Sequence, residues 1–194
     1  MTARLVMLCH APTPSLRAMA FPDYDALDEA GIAATEAAAG RLKRASRVLV
    51  SPRQCARQTA STLGLVAEEE PALGECDYGR WRGRALEEIA AEEPDAIGRW
   101  MQDPEAAPHG GESIAQLVRR IGAWLDVGNL EGRILAITHA SIIKAAVIHV
   151  LDAPVTSFWR IDVPPLSSVN LTHDGRRWAL RASSVIDHDA ADRG

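Results

Sequence analysis

The stretch Leu5-Val-Met-Leu-Cys-His-Ala-Pro-Thr13 decides the fold. Arg4 to Leu8 is a short run rich in leucine, valine and methionine that stops abruptly at Cys9 and His10, as a buried strand empties into a polar loop. The event recurs downstream, where the apolar run from Arg133 to Thr138 ends at His139. Each run leads towards a helix. Ser141 to Leu151 follows His139 directly, whereas Pro12, Pro14 and Pro22 exclude regular helix over Thr13 to Asp25 and delay the Ala-rich helix of Leu27 to Leu42.

Working outward, Val48 to Val50 is a third short strand, and Ser51-Pro52 opens a helix that runs to Leu63, with proline in its first turn. Residues 64–111 are irregular, with helical patches at Leu86 to Ala91 and Pro94 to Met101 and a close at Gly110-Gly111. Ser113 and Gln116 form a capping box, after which Ile114, Leu117, Val118, Ile121, Trp124 and Leu125 trace one helical face. Short β-like runs at Phe158 to Val163, Ser168 to His173 and Trp178 to Ala182 finish the chain, the last two joined at Asp174-Gly175. Strands alternating with helices predict an α/β protein, a three-layer α-β-α sandwich around a mostly parallel sheet. The expectation is one domain over 1–194, in which about 76–111 is an excursion capping the site and 187–194 is a frayed tail.

Composition narrows the partners. The 194 residues carry 21 basic and 26 acidic side chains, and a net charge of -5 offers no general attraction to nucleic acid or an anionic membrane. An anionic ligand must be held by local cations. No apolar run approaches the roughly 20 residues that span a bilayer. Cys9, Cys55 and Cys76 are odd in number and widely spaced, with no secretory leader recognised, so a reducing cytoplasm is expected. The sequence does not fix the oligomeric state, for which a homodimer is the base-rate expectation.

Ligands of open α/β sheets bind at the carboxyl ends of strands, and two independent strands here end in His10 and His139. His109, His149, His173 and His188 read as loop or core residues.

Five ordered segments carry a resemblance. LVMLCHAPT at 5–13 resembles a strand followed by Arg-His-Gly-x-Thr, with His10 and Thr13 matching and Cys9 and Ala11 departing. SPRQCARQTA at 51–60 is similar to Ser-Pro-x-x-Arg-Ala-x-Gln-Thr-Ala, with Cys55 in place of the arginine. Glu75, Asp77, Gly79, Trp81 and Gly83 follow Glu-x-Asp-x-Gly-x-Trp-x-Gly, and Gly110 to Ser113 and Thr138-His139-Ala140 complete the set. The chain thereby resembles the histidine phosphatase (phosphoglycerate mutase-like) superfamily.

That resemblance implies a phosphomonoester hydrolase acting on a small phosphorylated metabolite, with no metal and no cofactor. His10 would attack phosphorus to form a phosphohistidine, Glu75 would be the general acid, and His139 would bond a phosphoryl oxygen. Cys9, Thr13, Arg17, Cys55 and Ala140 are the expected substrate-binding positions. Cys9 and Cys55 stand where the family has its two phosphate-clamping arginines, and each loss removes on the order of 2–4 kcal/mol of transition-state stabilisation. Arg17, Arg53, Arg57 and Lys144 are the candidate replacements. Arg53 and Arg57 lie two residues either side of Cys55 and should point away from its helix face, and Arg17 is the best placed of the rest because a loop after the first strand can fold back over the site. Activity is therefore expected to be low or altered. The alternative is a catalytically silent pseudophosphatase binding a small anion, metal or partner.

Two rival readings of the cysteines remain open. Cys76 and Arg82 satisfy a Cys-x5-Arg spacing, although the intervening Trp81 and Asp77 suit a thiolate phosphate loop poorly. Cys9, His10, Cys55 and His139 would form a Cys2His2 set if they converge, and the two thiols a disulfide if geometry allowed.

Overall fold

The computed structural model describes residues 2–40, 45–128 and 130–182. Its elements are β1 (Ala3–Cys9), the one-turn α1 (Pro14–Arg17), α2 (Glu29–Ala38), β2 (Arg47–Val50), α3 (Gln54–Thr62), β3 (Glu68–Glu69), α4 (Leu86–Glu92), α5 (Pro94–Gln102), α6 (Ile114–Val127), β4 (Gly132–Thr138), α7 (Ala140–Leu151), β5 (Ser168–His173) and β6 (Trp178–Arg181). Short 3-10 segments intervene at Pro71–Leu73, Gly79–Trp81 and Val155–Arg160.

The strands form one sheet in the order β3-β2-β4-β1-β5-β6, parallel from β3 to β1 and antiparallel at β5 and β6. Alternation along the central strands divides the core. Leu5, Met7, Ile134 and Ala136 face the side covered by α6 and α7, where Ile121 and Ile142 meet them. Leu8, Val50, Leu135 and Ile137 face the other side, against Ala56 and Ala60 of α3. Burying each of the larger aliphatic side chains contributes about 1.5–3 kcal/mol. The predicted three-layer α/β sandwich is the observed one.

Local chemistry explains the helix boundaries. Ser113 and Gln116 form the capping box at the start of α6. In α1, Thr13 caps and Pro14 occupies the first turn, where its missing N–H costs nothing, so a short helix survives among the prolines. Asp28 caps α2 through a 2.7 Å bond from the Gly31 N–H.

Several expectations need correction. Phe158 to Val163 is not a strand: Val155–Arg160 coils as 3-10 helix between Pro154 and Pro164, and β5 already occupies the free edge of β1. β3 shows no apolar pattern, being Glu68-Glu69 at the sheet edge. The helix after Ser51 begins at Gln54, leaving Arg53 as an extended N-cap. The end of the Leu27 to Leu42 helix, His188 and the 187–194 tail lie outside the described residues. Among the described residues, no helix is long and apolar enough to cross a membrane.

Candidate active site

Strand register builds the floor of the site. Cys9 pairs with Thr138 and Val50 with Ile137, so β1, β4 and β2 end at one level and release His10, His139 and Ser51 side by side. The His10 N–H donates to the Thr138 carbonyl at 2.8 Å and the Ser51 N–H to the Ile137 carbonyl at 2.9 Å. The two imidazoles meet edge-on, with centroids 5.0 Å apart.

His10 Nδ1 lies 2.6 Å from the Ala11 carbonyl oxygen. A carbonyl only accepts, so Nδ1 carries the proton and Nε2 keeps its lone pair. Burial lowers the His10 pKa, against smaller opposing effects of the Ala11 bond and Asp25. His139 is 1% exposed, its Nε2 is 2.7 Å from Ser51 Oγ, and its Nδ1 has no hydrogen-bond partner among the described residues. Burial, with His10 and Arg53 nearby, pushes its pKa well below the ordinary histidine value.

Glu75 stands over this pair on a fixed loop. Its Oε2 is 3.4 Å from His139 Nδ1, and its Oε1 accepts from Ser141 Oγ and, at 2.8 Å, from the Cys76 N–H. Thr138 Oγ1 donates to the Leu73 carbonyl at 2.8 Å, and Arg120, paired with Glu112, donates to the carbonyls of Ala72 and Gly74. Gly79 and Gly111 let the chain on either side of the loop lie backbone to backbone: a Cβ at Gly111 would sit 1.9 Å from the Asp77 oxygen. Burial raises the Glu75 pKa, outweighing its hydrogen bonds and the nearby guanidinium groups.

These residues line a cavity of about 230 Å³ that also takes in Cys9, Thr13, Cys55 and Ala140. Seven of the eight predicted site residues therefore converge. Arg17 does not: its guanidinium grips the Asp28 carboxylate at 2.8 and 3.0 Å on the surface and holds that acid at about 2. The cations that line the cavity, among the described residues, are Arg53 and Lys144. Arg53 escapes the helix-face argument because it precedes α3 in extended conformation, and its guanidinium lies 4.9 Å from the Tyr24 ring. A signal was there: the Arg53 N–H bonds Ser51 Oγ at 3.2 Å, the turn that Ser-Pro favours. Lys144 is half-buried, and burial lowers its pKa.

Cys9 and Cys55 are 3% and 6% exposed, and burial pushes both thiols up to about 12, so they are neutral. Ligand atoms of His10, Cys55 and His139 all lie within 4.8 Å of one another, and Cys9 falls outside that group. Cys76 is buried against the Glu112 carbonyl, and Arg82 pairs with Asp77, which removes the Cys-x5-Arg reading. His109, His149 and His173 serve locally: His109 packs on Trp81, His149 pairs with Asp126, and His173 accepts from the Gly175 N–H. Ser51, Ser141 and Asp25 join the site beyond the expected residues, Ser51 through His139 and Ser141 through Glu75. Asp25 lines the cavity with a buried oxygen that has no partner among the described residues.

The model of the histidine phosphatase superfamily (branch 1) matches residues 5–185. The bifunctional protein Rv2228c of Mycobacterium tuberculosis is 33% identical over 186 residues, which cover 89% of this chain and 51% of that protein. The chain thus spans about half the length of the first of the curated relatives it matches. A glucosyl-3-phosphoglycerate phosphatase of the same species is 30% identical over 175 residues, covering 80% of this chain and 78% of that protein. The solved structure of a mycobacterial glucosyl-3-phosphoglycerate phosphatase with VO3 superposes with a TM-score of 0.77 at 28% identity, covering 92% of this chain and 97% of that one.

Proposed function

The chain belongs to the histidine phosphatase superfamily, and on that premise we propose that it hydrolyses phosphomonoesters through a phosphohistidine on His10. The observation that carries this reading is the state of His10, whose Nδ1 is tied to the Ala11 carbonyl while Nε2 keeps its lone pair beside a buried carboxyl. Nε2 attacks phosphorus, the phosphorus–oxygen bond breaks, and Glu75 gives its proton to the departing oxygen. Glu75, now a carboxylate, takes a proton from water as that water attacks the phosphorus–nitrogen bond and releases inorganic phosphate. His139 donates from Nδ1 to a phosphoryl oxygen, with the Ser51 hydroxyl donating to Nε2.

Arg53 and Lys144 supply the positive charge that Cys9 and Cys55 do not. Beyond them the cavity wall is aromatic, with Tyr78, Trp100, Phe158 and Trp159. That lining suits a small monoester whose leaving group carries little charge, such as a sugar phosphate, better than a bisphosphate.

The test is rapid quenching of the tag-free protein with a labelled chromogenic phosphate ester. We expect an acid-labile, base-stable phosphoryl group on the protein that His10→Ala eliminates. No turnover across a panel of monoesters, and none gained by Cys9→Arg with Cys55→Arg, would sink the reading in favour of the silent anion-binding alternative.

A further inference from the structure

We propose that the pocket is also a soft-metal site, in which His10, Cys55 and His139 bind one zinc-class divalent cation and leave its fourth position open to the cavity. The donor set is two imidazoles and a thiol with ligand atoms mutually within 4.8 Å. Zinc bonds of about 2.0–2.3 Å place tetrahedral ligands roughly 3.3–3.7 Å apart, so closure needs shifts of about 1 Å, within the reach of side-chain rotation. Three protein ligands with one vacant position is a coordination that zinc accepts readily.

The surroundings of both imidazoles support it. A metal-binding histidine uses one nitrogen for the ion and fixes the ring by donating from the other to an oxygen. His10 does so from Nδ1 to the Ala11 carbonyl. His139 does so when its Nε2–H donates to Ser51 Oγ, which leaves the buried, partnerless Nδ1 with a free lone pair. Ser51 can donate or accept, so one serine serves His139 both as phosphoryl donor and as metal ligand. Charge permits a dication: Arg53 and Lys144 oppose it, but Asp25 lines the same cavity, and Glu75, whose Oε2 is 3.4 Å from His139 Nδ1, offsets them once it releases the proton that it carries as an acid. An arginine at either cysteine position would add a fixed cation at this spot.

On binding, the Cys55 thiol releases its proton to solvent and the cation takes the thiolate and two neutral imidazoles, with no change of oxidation state. The metal holds the His10 lone pair, so metal and phosphoryl transfer exclude each other; this consequence alone rests on the phosphatase reading.

Cobalt(II) titration of the tag-free chain provides the test. We expect one equivalent bound with a thiolate-to-cobalt charge-transfer band that zinc displaces. Cys55→Ser should lose the band and weaken binding ~100-fold or more, while Cys9→Ser and Cys76→Ser keep it. His139→Gln should weaken cobalt binding about 10- to 100-fold, which serves if Cys55→Ser does not fold. No band in the native chain, or a band that survives Cys55→Ser, overturns the proposal. Zinc should also suppress turnover of a chromogenic ester and a chelator should restore it; unimpaired turnover in excess zinc would overturn the shared pocket. If the chain turns over no ester, the cobalt band still decides the metal site.

Discussion

The floor and the wall of the cavity solve the same problem differently. At the floor, where β1 ends and α3 begins, Cys9 and Cys55 are buried, neutral and uncharged. On the wall, Arg53 and Lys144 bring positive charge to the same space. Arg53 and Cys55 are two residues apart, yet the first is an extended N-cap reaching along the cavity and the second is inside the helix, buried. The comparison teaches that a few residues of one turn can exchange which of them carries the charge. An anion held from the side is also held less rigidly than one gripped from below by two forks.

Arg53→Met is the sharpest way to break that contrast. If the wall carries the charge, kcat/KM for a chromogenic ester falls about 10²- to 10³-fold. A loss under tenfold, with circular dichroism unchanged, would show that the wall is not the phosphate clamp. Arg53 also lowers the Glu75 pKa, so the same variant should move the alkaline limb of the rate profile to higher pH.

Glu75→Gln comes next, with a loss of about 10²-fold. Its pH dependence is more informative than its size. In the proposed mechanism His10 must be unprotonated to attack, and burial sets its pKa below 6.5, so the rate should rise with pH through a limb below that value. As the proposed acid, Glu75 must be protonated, and burial raises its pKa above 4.5, so the rate should fall as pH rises through a limb above that value. The glutamine variant should keep the acid limb and lose the alkaline one, as kcat/KM against pH would show.

Returning charge to the floor is a gentler intervention. In the Arg53→Met background, Cys55→Arg should recover about tenfold of the lost kcat/KM, because a guanidinium at the buried position reaches the cavity from below. No recovery would mean that the floor has closed around its thiols.

How much of this could be read beforehand follows the kind of force involved. β1, β4, α6 and α7 are written in local apolar periodicity and a capping box, and the two strand-end histidines locate the site. β3 could not be read that way, since Glu68 and Glu69 are a strand only because β2 pairs with them. Phe158 to Val163 misleads for the converse reason: its apolar residues pack on the core, with no strand edge left to join. The cations show the same limit. Arg17 has the right place in the chain, but Asp28 takes it, and that pairing across two elements leaves no trace in spacing. Arg53 escapes the helix-face rule because α3 starts only after it, at the turn that Ser51 holds.

The smallest expected effect tests how floor and wall are held together. Thr59, fully buried in α3, accepts from the Ala11 N–H at 3.0 Å and donates to the Cys55 carbonyl at 2.8 Å. One hydroxyl thus joins the residue after His10 to the helix that carries the floor, while Arg53, at the open end of α3, does not depend on it. Thr59→Val keeps the volume and leaves the Ala11 N–H buried without its acceptor, at a cost of about 1–2 kcal/mol. The denaturant midpoint should fall with the m value unchanged. Because the disturbance reaches His10 and Cys55 but not the wall, kcat should drop a few-fold while KM stays put. A rise in KM instead would mean that Arg53 is positioned through α3 after all, and that floor and wall move as one body.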